Sequence, residues 1–416
     1  MRTDRYKEEP KKKKSRTALK VLLVLILILL AAVPATVYYM YRTAEDSLAI
    51  SFKEKNAKFE IGENVATSAL IASSEGDVKA SEKELDTDTV GEKEVKFTVS
   101  KKLFGGLLTP RKRFSFRYTV EDKIPPLMLW NGDGAIVLNG EEFDIKKVVA
   151  YGDNADPNPK VEYKGKINTD ENGDYPLHVT VTDASGNSID WDTSITVADS
   201  YPTYTDDSPR TKYSDFMKTY EKDGRHFGID VSEWQGDIDF EAVKKAGCEF
   251  VFIRIGYSDE GEVTIDGKFE QNYEGAKKAG LKVGLYLFSY DNTEEKVRAS
   301  AKWVIDQLGG DKLDLPIAFD WEDFSQFQNY GMSFITLNRL YDVFADELAA
   351  AGYDCMLYGN KNSLEKIWAD TDKRPVWLAH YTNQTDYKGP YRIWQASSTG
   401  RIKGISGDVD MDILYD

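Results

Sequence analysis

Cysteine and histidine are scarce in this chain. It has two cysteines, Cys248 and Cys355, and three histidines among its 416 residues. Two cysteines without a characteristic spacing do not indicate a disulfide framework, so we expect two buried free thiols. No histidine or cysteine spacing is typical of a zinc site, and the sequence implies no metal and no cofactor.

Basic residues are outnumbered by acidic ones. The chain has 70 aspartates and glutamates against 54 lysines and arginines, which gives a formal net charge of -16 at pH 7. Because such a charge repels a phosphate backbone, no nucleic acid is expected as a partner. The length allows roughly two to four domains.

Long apolar runs are absent except for one near the N-terminus. Residues 21–41 are almost all apolar, end in tyrosines, and are long enough to cross about 30 Å of hydrocarbon as a transmembrane helix. The basic tail of residues 1–20 places the N-terminus in the cytoplasm and the remaining chain outside. We predict a single-pass membrane anchor. A cleaved signal peptide, and so secretion, is the alternative, because Val33-Pro34-Ala35 is similar to a cleavage site.

Residues 48–199 show strand patterns rather than helical periodicity. Short alternating segments between turn residues, such as 95–99 and 114–120, predict antiparallel sandwiches. A weak repeat relates 85–122 to 167–183, so we predict two all-β Ig-like sandwich domains, 48–123 and 124–199. The first carries a basic insertion at 101–113. The polar residues 200–225 are predicted to be a linker.

The second sandwich segment resembles the immunoglobulin-like modules of bacterial surface proteins. The resemblance is carried by Gly140-Glu141 before Phe143-Asp144, by Ala155-Asp156 with Asn158-Pro159, and by the run 179–187. It implies a spacer or a weak binding surface. The acidic residues around Asp153 predict an Asx turn, with calcium binding as the alternative.

In residues 226–416, strand-like and helix-like segments alternate. The strand segments are apolar on both faces, which is typical of a parallel sheet. About eight such segments predict a compact α/β barrel of the triosephosphate-isomerase kind.

One predicted strand, Leu315 to Phe319, is followed by Asp320-Trp321-Glu322. Side chains alternate along a strand, so the two carboxylates point the same way, with Cβ atoms about 6.5 to 7 Å apart. Like charges this close raise the pKa of one carboxyl, which can then act as a general acid near neutral pH. Such a pair suits glycoside hydrolysis. A helix cap is the other interpretation of Asp-x-Glu.

Other polar and aromatic residues lie at the C-terminal ends of the predicted strands. These ends converge on one face of a closed parallel barrel, where such folds carry their chemistry. Aromatic side chains there can stack on sugar rings, although a barrel interior also needs bulky side chains. The candidates are the carboxylates Asp230, Asp320, Glu322 and Asp410 and the substrate-binding residues Tyr257, Tyr286, Phe288, Tyr290, Tyr358, Trp377, Trp394 and Gln395.

A series of motifs spans residues 226–416. They are, in chain order, Gly228-Ile229-Asp230-Val231-Ser232, Trp234-Gln235-Gly236, Phe252-Ile253-Arg254, Gly284-Leu285-Tyr286-Leu287-Phe288-Ser289, Asp320-Trp321-Glu322, Trp394-Gln395 and Gly407-Asp408-Val409-Asp410-Met411-Asp412. In order and spacing they resemble glycoside hydrolase family 25, the N,O-diacetylmuramidases and phage-endolysin lysozymes. The resemblance implies a flattened eight-stranded barrel that acts on peptidoglycan glycan strands, and we expect a monomer.

The resemblance also implies a chemistry. The β-1,4 bond between N-acetylmuramic acid and N-acetylglucosamine would be cleaved with retention, with Glu322 as general acid. Asp320 would stabilise positive charge on an oxazolinium ion formed by the 2-acetamido group, and Asp230 and Asp410 would complete the acidic cluster. The closing motif has Asp412 where asparagine is common in the family, so the role of Asp410 relative to Asp408 and Asp412 stays open.

Two other functions fit the sequence. A catalytically silent barrel could bind peptidoglycan as a surface scaffold, but a silenced barrel would be expected to lose one of Asp230, Asp320 and Glu322. An anchored lysozyme on a Gram-positive cell could also open the wall locally for a secretion or conjugation apparatus, rather than remodel or lyse it.

Overall fold

An apolar helix begins the part of the chain that the structure describes. The computed structural model describes residues 16–203 and 205–416, and helix α1 spans Arg16–Ser47. Its segment Leu19–Ser47 is long and apolar enough to cross a membrane. A signal sequence near the N-terminus has the same properties, so this helix supports a membrane-targeting segment and does not distinguish an anchor from a cleaved peptide. The first 15 residues of the predicted cytoplasmic tail lie outside the described residues.

The chain divides into two compact units, one ending at Asp122 and one that spans Lys123–Asp416. In the first unit, strands β2, β6, β5 and β4 form a sheet in this order, and β1 pairs with β3. Phe52 on β1 contacts Phe97 on β5, with ring centroids 5.2 Å apart, so the two sheets pack face to face as a sandwich. The strands are β1 (Ile50–Phe52), β2 (Ala57–Glu60), β3 (Ile71–Ser74), β4 (Asp77–Ala80), β5 (Gly91–Ser100) and β6 (Arg111–Glu121).

The second unit begins with a sandwich of the same sheet order. Its strands are β7 (Leu127–Trp130), β8 (Ile136–Leu138), β9 (Ala150–Gly152), β10 (Lys160–Lys164), β11 (Gly173–Thr182) and β12 (Ser188–Ala198). The larger sheet has the order β8, β12, β11, β10, and β7 pairs with β9. Strand β8 is parallel to β12, just as β2 is parallel to β6. The shared order supports the internal repeat that the sequence predicts.

The rest of the second unit is a closed barrel. Its strands are β13 (Thr211–Lys212), β14 (Arg225–Val231), β15 (Phe250–Asp259), β16 (Glu262–Ile265), β17 (Lys282–Ser289), β18 (Ile317–Asp320), β19 (Cys355–Asn360), β20 (Val376–Ala379), β21 (Ile393–Arg401) and β22 (Val409–Tyr415). Its helices are α2 (Tyr213–Tyr220), α3 (Phe240–Lys245), α4 (Phe269–Ala279), α5 (Glu294–Leu308), α6 (Phe334–Ala350) and α7 (Lys361–Lys366). Neighbouring strands follow the order β14, β15, β17, β18, β19, β20, β21, β22, and β22 returns to pair with β14.

The last strand corrects the prediction of a wholly parallel barrel. From β14 to β21 the neighbours are parallel, but β22 is antiparallel to both β21 and β14. The connection between β21 and β22 is too short for a helical crossover, which a parallel neighbour would need. Asp410 therefore lies near the start of its strand, beside Asp230 in the register, and still reaches the rim where the parallel strands end.

Strand β18 is buried on both faces, as its sequence predicts. Ile317 and Phe319 belong to the core formed with the outer helices, whereas Ala318 packs in the barrel interior. Because side chains alternate, Asp320 points to the same side as Ala318, at the rim of the interior. Both cysteines are free; Cys248 is buried and Cys355 is partly buried.

The segment predicted as a linker is partly structured. Strand β13 pairs with β21, and α2 follows it directly. Tyr213 and Phe216 on α2 are buried in the barrel's outer core. Residues 211–220 therefore belong to the barrel, because their apolar side chains cover its outer surface.

The second sandwich packs against the barrel through Gln328. This residue lies in the 3-10 segment Phe324–Asn329, shortly after Glu322, and it is buried. Its Nε2 donates to the carbonyl oxygens of Lys146 at 2.7 Å and Val149 at 3.2 Å, and its Oε1 accepts from the Tyr151 amide at 3.4 Å. These bonds join the sandwich to the segment that follows the candidate acid.

Gly152 brings the sandwich backbone close to the same segment. A Cβ atom at this position would lie 2.6 Å from Phe327 Cδ1 and 2.7 Å from Phe334 Cε1, so only glycine allows this approach. The Phe334 amide donates to the Asp153 carbonyl at 2.8 Å. The Asp153 carboxylate accepts from the Ala155 amide at 2.9 Å, which closes the predicted Asx turn. The sandwich is therefore a packed neighbour of the barrel and not a free spacer.

We expect Gln328→Leu to lower the thermal unfolding temperature of the second unit by several degrees. The substitution keeps the volume but leaves buried backbone groups of the sandwich without partners, at a cost of about 1–3 kcal/mol for each such group. The measurement is calorimetric unfolding of the full chain in detergent. Gln326→Leu is the control, because Gln326 is only partly buried and accepts one bond, from Asn329. Equal unfolding temperatures for the two variants would contradict the prediction.

Candidate active site

A cleft of about 250 Å³ opens at the rim where the parallel strands end. It is lined by Asp230, Ser232, Trp234, Gln235, Arg254, Tyr286, Phe288, Asp320, Glu322, Tyr358, Trp377, Tyr381, Gln395 and Asp410. A larger cavity, of about 520 Å³, lies at the opposite rim, where β18 and β19 begin. Parallel barrels carry their chemistry at the carboxyl ends of the strands, so the smaller cleft is the candidate site.

The cleft brings together all four predicted carboxylates and five of the predicted substrate-binding residues. The five are Tyr286, Phe288, Tyr358, Trp377 and Gln395. Trp377 is almost fully buried, and its ring centroid is 4.5 Å from that of Phe252 and 4.9 Å from that of Tyr358. It therefore forms the floor of the cleft and leaves little surface on which a sugar could stack.

Three predicted substrate-binding residues do not line the cleft. Trp394 Nε1 donates to the His380 carbonyl at 2.9 Å, and the ring packs on Tyr220, outside the barrel. Its neighbour Gln395 faces inward, and adjacent side chains of a strand point to opposite faces. Tyr257 is exposed beside a register shift in β15, and Tyr290 packs edge-on against Phe288 with centroids 5.1 Å apart.

Asp320 and Glu322 share a largely desolvated environment. Burial raises the pKa of Asp320 well above its ordinary value, and the charge of Glu322 raises it further, while the positive charge of Arg254 opposes the rise. Burial raises the pKa of Glu322 to about 7. Asp320 Oδ1 has no hydrogen-bond partner among the described residues. One carboxyl of this pair can hold a proton near neutral pH.

Arg254 is held in place by two carboxylates. Its Nε lies 2.7 Å from Asp266 Oδ2, and its Nη2 lies 3.0 Å from Glu233 Oε1. Asp266 also accepts from the Glu233 amide at 3.0 Å. Since both partners fix the guanidinium beside the cleft, its charge is available to favour the ionised form of Asp320.

A hydrogen-bond network holds Asp230 on the other side of the cleft. Gln395 Nε2 donates to Asp230 Oδ2 at 2.7 Å. The hydroxyls of Tyr358 and Tyr381 both donate to Gln395 Oε1 at 2.9 Å. The two tyrosines thereby fix the amide of Gln395 with its nitrogen toward the carboxylate.

Two further carboxyls on β22 complete an acidic cluster. Burial, and then the charge of Asp230, raises the pKa of Asp410 to about 9. Asp412 is fully buried and accepts from Trp377 Nε1 at 2.8 Å, and burial, followed by the charge of Asp410, raises its pKa to about 8. Burial, and then the charge of Asp412, raises the pKa of Asp230 as well. Burial and mutual repulsion therefore favour the protonated form of these carboxyls more than that of an exposed carboxyl.

Several cleft residues were not among the site residues predicted from the sequence. Arg254 is a single charge inside an apolar strand, a signal that could have identified it. Trp234 is 80% exposed on the short segment Glu233–Gln235, where Ser232 and Gln235 form a capping box. Tyr381 follows β20 in a loop, and no sequence periodicity indicates its direction.

Comparison with known proteins agrees with the architecture of both parts of the second unit. Residues 229–405 match the family model for glycosyl hydrolases family 25, and residues 129–197 match that for the Ig-like domain of bacterial surface proteins.

Two curated lysozymes are similar to the barrel. The autolytic lysozyme of Clostridium acetobutylicum is 34% identical over 189 residues, which are 44% of this chain and 54% of that protein. Lysozyme M1 of Streptomyces globisporus is 34% identical over 196 residues, 44% of this chain and 65% of that protein. The chain thus spans between about half and two thirds of the length of these relatives.

A crystal structure of a bacterial lysozyme from Streptomyces coelicolor is 26% identical, with a TM-score of 0.39. The match covers 47% of this chain and 94% of that one. Independently of that crystal structure, the two family matches, the ordered motifs of the sequence and the closed barrel support one assignment. The chain contains a glycosyl hydrolase family 25 domain, preceded by an Ig-like domain of the bacterial surface type.

Proposed function

We propose that this chain is a peptidoglycan muramidase that hydrolyses the β-1,4 bond between N-acetylmuramic acid and N-acetylglucosamine. The observation that carries the proposal is the pair Asp320 and Glu322 in the cleft, with the pKa of Glu322 raised to about 7 by burial. A carboxyl with such a pKa can give a proton to a leaving oxygen at neutral pH. The similarity to lysozymes supports peptidoglycan as the substrate.

The proposed first step divides two roles between the paired carboxyls. Glu322 gives its proton to the glycosidic oxygen as the bond from the anomeric carbon to this oxygen breaks. The acetamido oxygen of the same sugar attacks the anomeric carbon and forms an oxazolinium ion. Asp320 is the ionised member of the pair in this proposal: burial raises its pKa, but the positive charge of Arg254 favours its carboxylate, which stabilises the positive oxazolinium.

The second step restores the enzyme. Glu322, now a carboxylate, takes a proton from water as the water oxygen bonds to the anomeric carbon and the oxazolinium ring opens. Two inversions at this carbon give net retention. Asp230, fixed by Gln395, and Asp410 hold substrate hydroxyls, while Tyr286 and Phe288 contact sugar faces.

We also propose a location and a domain organisation. Helix α1 is a retained single-pass anchor, with its N-terminus in the cytoplasm, and both sandwiches and the barrel are outside the membrane of a Gram-positive cell. Residues 48–123 and 124–199 are two Ig-like domains that hold a monomeric barrel, residues 226–416 with the added segment 211–225, within the wall. The enzyme serves wall remodelling or lysis.

The test is digestion of purified peptidoglycan by the full chain in detergent. After borohydride reduction, mass spectrometry identifies the newly formed reducing ends. We expect reduced muramic acid at these ends. Reduced glucosamine ends would contradict the bond assignment, and binding to peptidoglycan without release of fragments would favour the silent scaffold.

A further inference from the structure

The end of the hairpin formed by the loop between β5 and β6 and by the first three residues of β6 is strongly basic, and we call residues 101–113 the basic tip. It contains five basic residues and no acidic one, and the chain has no acidic residue between Glu94 and Glu121. Within residues 16–203 and 205–416, none of the five forms an ion pair. They are Lys101, Lys102, Arg111, Lys112 and Arg113. This positive charge contrasts with the net charge of -16 of the whole chain.

The basic tip also exposes large apolar side chains. Leu107 is 86% exposed and Phe104 is 57% exposed. A tight turn presents them, in which the Leu103 amide donates to the Leu108 carbonyl at 2.8 Å and Phe104 has a φ of 50°. An ordered turn that exposes large apolar side chains to water indicates that these side chains bind to another surface.

The basic tip lies at the end of the first unit from which α1 departs. Leu48, the first residue after α1, is buried. It lies close to Ser100, because both residues are neighbours of Gly76. A Cβ atom on Gly76 would lie 3.2 Å from Leu48 Cδ2 and 2.5 Å from the carbonyl oxygen of Ser100. Ser100 pairs with Arg111 where the hairpin enters the tip. The other end of the hairpin, where Gly91 pairs with Val120, lies about 30 Å away along the strands.

We propose that the basic tip binds the anionic lipid surface of the membrane that α1 enters. Phe104 and Leu107 lie among the upper acyl chains, and the basic side chains lie at the level of the headgroups. A lipid surface fits better than a soluble anionic polymer, because it offers both negative charge and an apolar layer. Because the basic tip lies close to the end of α1, it lies near the membrane surface that α1 enters. The proposal depends on α1 as an anchor, and not on the muramidase activity.

The test places an environment-sensitive fluorophore, NBD, at the tip of the full chain. Leu107→Cys is labelled and reconstituted through α1 into vesicles of phosphatidylcholine with phosphatidylglycerol. We expect NBD emission to move to shorter wavelength, with a several-fold rise in intensity, and to be quenched by brominated acyl chains. Val90→Cys is the matched control, because Val90 is also exposed but precedes the far end of β5, so its label should emit as in water. Labelled wild type gives the background of the native cysteines.

A second pair of variants tests the charge. Lys101→Gln with Lys102→Gln should reduce the shift at position 107, whereas Lys53→Gln with Lys55→Gln should not; all four lysines are exposed, so folding is unaffected. Water-like emission at position 107, or equal emission in vesicles with and without phosphatidylglycerol, would overturn the proposal. A shift that appears only with soluble polyglycerol phosphate would identify a wall polymer instead. Peptidoglycan digestion, measured in parallel, tests the proposed muramidase separately.

Discussion

Glu322→Gln is expected to lower the rate of peptidoglycan hydrolysis by about 10²–10⁴-fold, the usual contribution of a general acid. Glutamine keeps the size and polarity of the side chain but has no acidic proton for the leaving oxygen. The measurement is the initial rate of release of reducing ends, with peptidoglycan binding measured in parallel. Binding should persist, because the substitution preserves the shape of the cleft.

Asp323→Asn is the matched control. Asp323 is adjacent in sequence to Glu322, but it accepts from the Tyr330 hydroxyl at 2.7 Å and does not line the cleft. An asparagine keeps an oxygen acceptor for this bond, so activity should stay near that of the wild type. An equal loss in both variants would mean that the segment 322–330 is disturbed, and the assignment of the acid would lose its support.

The pH profile of the wild type should reflect the same group. The pKa of Glu322 is raised to about 7, so the carboxyl is protonated below this pH and loses its proton above it. Since the acid must hold its proton before bond cleavage, kcat/KM should fall as the pH rises through about 7. In Glu322→Gln this alkaline limb should disappear from the residual activity.

The sequence predicted the acidic pair because alternation along a strand is a local rule. Asp320 follows Ala318 on the inner side of β18, and this direction needs only the period of two residues. The same rule explains the failure at Trp394. Gln395 and Trp394 are adjacent, so they could not both face the cleft, and the buried amide of Gln395 took the inner position. Alternation along β21 excludes Trp394 from the cleft once Gln395 faces inward.

Other features depend on contacts between segments that are far apart in the chain. Gln328 bonds to carbonyls of the second sandwich, and its own neighbours in sequence give no sign of that partner. Tyr381 reaches Gln395 from a loop whose direction only the folded barrel defines. The predicted linker 200–225 includes the structured segment 211–220, because the polar residues around this segment outweigh its single amphipathic turn. In each case the missing information was the location of a distant surface.

Asp320→Asn is expected to lower kcat by about 10²–10³-fold, the effect of removing one group that stabilises transition-state charge. Asparagine has nearly the same shape, so a smaller change in KM is expected, because the loss concerns the charged intermediate more than the bound substrate. The measurement is steady-state kinetics on soluble glycan strands. An unchanged kcat would show that no positive charge develops beside Asp320.

The pH profile of this variant distinguishes the roles of the two carboxyls. In the wild type, the charge of an ionised Asp320 makes the loss of the Glu322 proton harder; without this charge, the pKa of Glu322 should fall. The alkaline limb of Asp320→Asn should therefore lie at lower pH than that of the wild type. Burial and the charge of Glu322 raise the pKa of Asp320, so placing the negative charge on Asp320 and the proton on Glu322 depends on the opposing charge of the fixed Arg254 guanidinium. If the limb stayed in place, Asp320 would be the protonated member of the pair, and the acid and the charge stabiliser would have to be exchanged.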